Sequence, residues 1–285
     1  MRTPTSRPAL AVTGATGALG GIVARFLADR GIEQRLLART PSKAPALPGA
    51  VAVHADYADR DASRRALDGV STLFMVSGSE AVDRADQHRT FVDTAVEAGV
   101  RHIVYTSFYG AAADSIFTHG HDHYATEEHI RASGMGYTFL RDNFYLDVLP
   151  HFVGEDGVIR GPAGDGRVAA VAREDIARVA VEVLVRPGDH ENAGYDLTGP
   201  EALTMTDVAA ILSGTGGGKV TFHDETLDEA YESRRRWNAP DWLLDAWVST
   251  YTAIAAGELA HVTDHVARIT GGAPLRLADL LDRRG

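Results

Sequence analysis

Short apolar runs alternate with amphipathic stretches over the first two-thirds of the chain. LAVTG (10–14), QRLLAR (34–39), VAVHAD (51–56), TLFMVS (72–77), HIVYTSF (102–108) and YTFLRD (137–142) are of strand length, and turn or helix signals separate them. Between them, ALGGIVARFLADRG (18–31) and ADQHRTFVDTAVEAG (85–99) carry helical periodicity. In the second stretch Phe91, Ala95, Val96 and Ala98 repeat at helical spacing, and Gly99 ends the pattern. Strands separated by helices need crossover connections, which predicts an α/β chain with a doubly wound parallel sheet covered on both faces. Ligands of such sheets bind beyond the carboxyl ends of the strands, so residues there carry the functional information.

The pattern changes after about residue 153. GEDGVIRGPAGDGR (154–167) reads as a Gly-rich loop or hairpin. A helix (DIARVAVEVLVR, 175–186) and a strand (GYDLTG, 194–199) then return to the sheet. From Pro200 helices dominate, notably DWLLDAWVSTYTAIAAGE (241–258), with one strand candidate at KVTFHD. The expected division is a nucleotide domain of residues 1–153 with 173–199, and a smaller, mainly helical C-terminal cap of 154–172 with 200–285. SGTGGGK (213–219) fails the phosphate-loop pattern because Val220 follows Lys219, so it reads as a plain linker.

VTGATGALG (12–20) sets Gly14, Gly17 and Gly20 between the first strand and the first helix. The first glycine permits a tight turn, the second lets backbone approach a pyrophosphate, and the third lets helix pack on strand. With Thr16, Ala18 and Leu19 they form a loop whose helix-start N–H groups suit phosphates, which makes the sheet Rossmann-type. The second strand ends in Arg39, with Lys43 nearby and no Asp or Glu from Gln34 to Lys43. A guanidinium grips a 2′-phosphate where a carboxylate would repel it, so the expected cofactor is NADPH. Asp56, with Tyr57, either orients adenine or caps the following helix. Val76, Ser77 and Gly78 would lie over the cofactor ribose, and Thr106 and Ser107 would approach the nicotinamide.

The chain has 285 residues, 45% hydrophobic and 24% charged, enough for a sizeable core. A formal charge of −11 argues against nucleic acid as a partner. Without cysteine there are no disulfides, thiolate metal sites or Cys nucleophiles. The start, MRTPTSRPALAVTGATG, lacks a signal-like apolar run, and nothing approaches the ~20 apolar residues of a membrane span. The expectation is a cytoplasmic protein without membrane or nucleic-acid partners, and a homodimer is left open.

With these residues in hand, the chain resembles the NmrA-like atypical short-chain dehydrogenase/reductases. Within them it resembles most the type 2 NAD(P)H:quinone oxidoreductases and the triphenylmethane-dye reductases. The stretches that carry the likeness include VTGATGALG, LLARTPSKA, HADYAD, VSGSE, QH (87–88), AGVRHIVYTS, HYATEEHIRASGMGYTFLRDNFY and GPAGDGRVAAVAREDIA. The resemblance implies that the glycine loop, Arg39, the segment after the fourth strand and the strip Asp142, Asn143, Phe144 and Tyr145 contact the cofactor. It also implies a substrate pocket above the nicotinamide. Members of this group often have Arg-Asn after the sixth strand, where this chain has Arg141-Asp142-Asn143. The cap, with Trp237, Trp242 and Trp247, is where the likeness carries least.

FTHGHDHYATEEH (117–129) stands where many nicotinamide enzymes carry Tyr-x-x-x-Lys, and has His119 and His123 at that spacing. No such pair exists anywhere, since the two lysines, Lys43 and Lys219, follow Arg39 and Thr215 by four residues. Alcohol–ketone chemistry needs that pair to protonate a strongly basic alkoxide. A quinone or cationic dye does not, because hydride arriving on an electron-poor conjugated ring gives a stabilised product. His123 matches the family's lysine position, and with Tyr145 is a candidate positioning or pocket residue; no general acid is assigned. His119, His121 and Asp122 invite a metal reading, but the H-E-x-x-H pattern is absent and no metal is expected. Phe108, Tyr109, Phe144 and Tyr145 offer aromatic walls for a small planar conjugated substrate. Two functions follow: an NADPH-dependent reductase passing hydride directly to a quinone or similar acceptor, or an NADP-sensing regulator without turnover.

Overall fold

The computed structural model describes residues 8–214 and 218–283, so the first seven residues and part of the SGTGGGK stretch lie outside the described residues. Seven strands form one sheet in the order β3-β2-β1-β4-β5-β6-β9. They are β1 (Leu10–Thr13), β2 (Gln34–Ala38), β3 (Ala50–His54), β4 (Thr72–Met75), β5 (His102–Phe108), β6 (Gly136–Asp142) and β9 (Ala193–Leu197). β3, β2, β1, β4 and β5 pair in parallel, with Val12 opposite Leu36 on one side and Phe74 on the other. β1 and β2 are buried along their whole length, as a sheet covered on both faces requires. Because β2 and β4 flank β1, the chain reverses direction across the sheet there, which opens a crevice at the carboxyl ends of β1 and β4.

The chain divides into two compact units: Met1–Ser107, Ala125–Leu140 and Ile176–Tyr195, and then Phe108–Tyr124, Arg141–Asp175 and Asp196–Gly285. The boundary expected from the sequence differs: residues 108–124, 141–153, 173–175 and 196–199 fall in the second unit. The first unit holds α1 (Ala18–Asp29), α2 (Arg60–Leu67), α3 (Arg84–Glu97) and most of both α4 (Thr118–Ala132) and α5 (Arg173–Val185). Leu37, Leu67, Phe91, Ile103, Tyr105 and Phe139 form its core. Gly99 stops α3 with φ +83°, a conformation that costs a residue without Cβ little.

The second unit gathers Phe108, Phe117, Leu146, Ile159, Val208, Tyr251 and Ile254 into another core. It carries α6 (Met205–Ser213), α7 (Leu227–Arg234), α8 (Asp241–Ala255), α9 (His265–Thr270) and α10 (Leu277–Asp282). Thr204 with Asp207, and Thr226 with Glu229, form capping boxes that start α6 and α7. The 154–167 stretch turns back at once, Gly154 N–H donating to the Val158 carbonyl at 3.0 Å and Val153 bridging Ile159 antiparallel, but its two strands do not pair with each other. It holds β7 (Val158–Gly161) and ends at β8 (Arg167–Val168), and these pair elsewhere. β7 runs parallel with β11 (Thr221–Asp224), and β8 antiparallel with β10 (Leu203–Thr204). No helix among the described residues is long and apolar enough to cross a membrane.

Candidate cofactor and acceptor sites

The crevice of the first unit is a cavity of about 510 Å³. The glycine loop, Arg39, Asp56, Tyr57 and the segment Val76–Ala81 line it, together with Gln87. Gly14 turns the chain at φ +64°, and Gly17 N–H closes the turn on the Gly14 carbonyl at 2.8 Å. A Cβ on Gly20 would collide with the Gly14 carbonyl, so only glycine lets α1 begin there. No side chain caps α1, and its first turn holds no acidic residue. Its leading N–H groups and the positive end of its dipole are therefore available to an anion. Arg39 is exposed at the rim, and among the described residues it forms no ion pair. Glycines a Cβ would fill, an uncapped helix start and a rim guanidinium together fit a phosphorylated dinucleotide. Lys43 does not line this cavity; it sits exposed on the turn Pro41–Lys43.

A polar scaffold holds the loops of the cradle. Tyr57 donates to the Val76 carbonyl at 2.5 Å and meets Thr13 Oγ1 at 2.7 Å, while Thr13 Oγ1 accepts from Val76 N–H at 2.8 Å. Burial pushes the Tyr57 phenol far above its ordinary range, so it remains a donor. Asp56 does not cap α2: Asp59 does, accepting from Ala62 N–H at 2.9 Å. Asp56 instead turns its carboxylate to Ala58 N–H at 3.1 Å and lines the cradle. His88, fully buried, accepts from Gly78 N–H at Nε2 (2.8 Å), which makes the imidazole neutral with its proton on Nδ1 facing Thr126 Oγ1 at 2.9 Å. The sequence pattern showed His88 only as half of QH. Its role depends on a contact with the 77–81 loop ten residues earlier.

Thr106 and Ser107, expected near the nicotinamide, are buried and do not line the cavity. Thr106 Oγ1 accepts from Ser77 N–H at 2.8 Å and so holds the loop after β4. Ser107 donates to Glu127 Oε1 at 2.6 Å, and Arg131 donates to Glu127 Oε2 at 2.9 Å. Glu127 is fully buried, and this relay was not read from the sequence. A larger depression of about 1260 Å³ runs along β3 and α2, where Arg64 pairs with Glu97 at 3.8 Å; it holds none of the expected site residues.

The remaining candidates lie in the second unit. Phe108, Phe117 and Phe144 form a cluster with centroids 4.6–5.2 Å apart. His123 is buried with its ring 6.0 Å from Phe108. His119 stands edge-on to Phe117 at 5.6 Å and to Trp242 at 6.4 Å, with Nδ1 3.8 Å from Asp122. His121 Nε2 is 2.9 Å from the Ser115 carbonyl oxygen. Among the described residues no three His, Asp or Glu side chains are grouped to hold a metal.

Asn143 uses both ends of its amide on backbone: Nδ2 donates to the Leu259 carbonyl at 3.0 Å and Oδ1 accepts from Phe144 N–H at 2.8 Å. It therefore acts as a clamp for the strand end. Tyr145 donates to Asp142 Oδ2 at 3.2 Å and lies under the Arg173 guanidinium at 4.6 Å. Asp142 Oδ1 is buried with no hydrogen-bond partner. Burial raises the Asp142 carboxyl well above the usual range against the weaker pull of Tyr145.

A doubly wound sheet whose first crevice is an uncapped glycine cradle defines a dinucleotide-binding protein of the α/β class. The chain belongs to the NmrA-like family, which it matches over residues 6–233. It is 34% identical over 278 residues to quinone oxidoreductase 2 of Escherichia coli strain K12, covering 95% of this chain and 96% of that one. It is 33% identical over 265 residues to the NAD(P)H azoreductase of Xenophilus azovorans, covering 91% and 92%. The solved structure of an NADPH-dependent quinone oxidoreductase complexed with NADPH, from E. coli, superposes with a TM-score of 0.87. It shares 33% identity and covers 96% of this chain and 99% of that one.

Proposed function

We propose that this protein is an NADPH-dependent oxidoreductase that passes hydride directly to a quinone or a similar flat conjugated acceptor. The observation that carries it is the cradle itself, an uncapped helix start with Arg39, not a carboxylate, just past the end of β2. Kinship with a quinone oxidoreductase and an azoreductase supports turnover rather than sensing. A cytoplasmic setting belongs to the same proposal.

NADPH, when bound, supplies the hydride; the chain binds, orients and excludes water. The glycine loop holds pyrophosphate through backbone N–H groups, and Arg39 selects the 2′-phosphate by charge. Tyr57, Thr13, Thr106 and His88 fix the loops that would border the cofactor ribose. The apolar cluster Phe108, Phe117 and Phe144 suits the faces of a conjugated ring. His123, as a buried imidazole, positions without supplying an obligatory acid. At the departure from Arg-Asn, burial favours the protonated form of Asp142, and Tyr145 holds its carboxyl by a hydrogen bond.

The test is stopped-flow loss of NADPH absorbance against a panel of benzoquinones, naphthoquinones, azo dyes and triphenylmethane dyes. Rapid oxidation with at least one class is expected. Tight NADPH binding with silence across the panel would replace the enzyme by a sensor.

A further inference from the structure

The second unit contains a cavity of about 430 Å³ that the proposed reaction does not use. Its size falls within the roughly 300–1,000 Å³ of small-molecule pockets. Helix α8 separates it from the phenylalanine cluster. Trp242 and Ser249, seven residues apart and on one face, reach His119 and Thr118 N–H. Trp247, Thr250 and Tyr251 turn the other way and line the cavity.

Its walls are aromatic. Phe152 packs on Tyr251 at 5.7 Å, and Trp237 stands edge-on to Trp247 at 5.8 Å. The three successive arginines 234–236 have three different surroundings. Arg234 is buried and fully engaged: it pairs with Glu225 at 2.8 Å, donates to the Ala230 and Arg160 carbonyls, and lies 5.2 Å over the Tyr251 ring. Arg235 pairs at the surface with Glu232 at 3.2 Å. Arg236 lies 4.4 Å over Trp237 and, among the described residues, forms no ion pair. The other wall cation, Arg160, is held by both oxygens of Asp156. Trp237 is 54% exposed, the largest apolar ring so displayed among the described residues.

A chain of net charge −11 thus keeps one uncompensated guanidinium at the mouth of an aromatic cavity, beside an indole that solvent still reaches. We propose that this cavity binds a planar aromatic anion. Its ring system lies among Trp237, Trp247 and Phe152, and its carboxylate or equivalent oxyanion meets Arg236 with help from His151. Burial of the Trp237 face supplies the apolar gain, and the charge-assisted bond to Arg236 supplies selectivity. A concave cavity with one rim cation favours a small molecule over a second copy of the chain.

The experiment is calorimetric titration of the full chain, saturated with NADP, with 2-naphthoic acid and with uncharged 2-naphthalenemethanol. Tryptophan fluorescence is followed in parallel. Binding of the acid with quenching is expected, weakened at least ~10-fold by R236Q and unchanged by R235Q, with the alcohol binding wild type about as weakly as the acid binds R236Q. Both arginines are at the surface, and matching circular dichroism of the two variants controls for folding. Absence of heat and quenching, or an R236Q affinity equal to wild type, overturns the proposal. Concentration-dependent self-association abolished by W237L overturns it too, and assigns the face to a second copy.

Discussion

Replacing Arg39 by alanine removes a side chain whose only described role is at the cradle rim. It makes no ion pair among the described residues, and only its backbone carbonyl is engaged, near His54 Nδ1 at 3.0 Å. Little stability is therefore at stake, and the variant isolates recognition. Hydrogen bonds to a charged group contribute about 1.5–3 kcal/mol, and solvent at an exposed rim holds the total for a gripped 2′-phosphate to that range. This corresponds to a fall of roughly 10- to 150-fold in kcat/KM for NADPH. NADH has no 2′-phosphate, so its kcat/KM should change less than about 2-fold. Arg39→Asp adds repulsion between a carboxylate and the phosphate and should deepen the NADPH loss by roughly another 5-fold. The assay is initial-rate kinetics with one quinone held constant and both cofactors varied, repeated at two salt concentrations. The wild-type preference for NADPH should narrow at high salt, because the pair is screened. An equal fall for both cofactors, or an unchanged KM for NADPH in R39A, would remove Arg39 from the phosphate site.

Three other substitutions probe different parts of the molecule. Gly20→Ala drives a Cβ into the Gly14 carbonyl and should raise the KM for NADPH by ~10-fold or more while circular dichroism stays native; an unchanged KM counts against the cradle. His123→Ala should lower kcat less than about 10-fold without introducing a new pH dependence; a larger loss restored by added imidazole would make it a proton donor. Asp142→Asn tests the buried acid by stability. A carboxyl raised on folding contributes stability that is complete below its unfolded pKa (about 3.9) and is lost as pH rises through the folded value. D142N should therefore match wild type near pH 3.5 and exceed it at pH 8 in urea midpoint; a less stable D142N at pH 8 would mean that the carboxylate is ionised and held by a partner.

The parts of the site legible in the sequence are those where residue type alone reports a physical demand. Gly14 and Gly20 were readable because a left-handed turn and a helix packed on its own loop leave room for no other residue. Arg39 was singled out by sign, since a strand end without a nearby acid cannot serve a ribose diol in the usual way, and it lines the cavity. Asp56 and Asp59 show where such reading ends. Both precede the same helix, both are good caps, and only the chain's path decides that Asp59 reaches Ala62 N–H. Lys43 was placed by adjacency to Arg39, but the turn Pro41–Lys43 carries it off the cavity.

Residues that hold other residues were the hardest to see. Glu127 binds Ser107 from twenty residues away, and Asn143 binds Leu259 across more than a hundred. Neither leaves a local pattern, because a buried polar group is satisfied by whatever the fold brings near it. The same applies to β7, whose glycines suggested a loop or hairpin: beyond a single local bridge to Val153 it pairs with β11 some sixty residues on. Gly161 is there because the Tyr251 ring packs on it, not to turn the chain. A glycine thus has two physical meanings, freedom of backbone and absence of bulk. The sequence distinguishes them only where φ is constrained by neighbouring elements, as in the first loop. In the second unit both meanings occur: Gly157 and Gly164 take positive φ, whereas Gly161 leaves room for the Tyr251 ring of α8, a ring that also lines the Arg236 cavity.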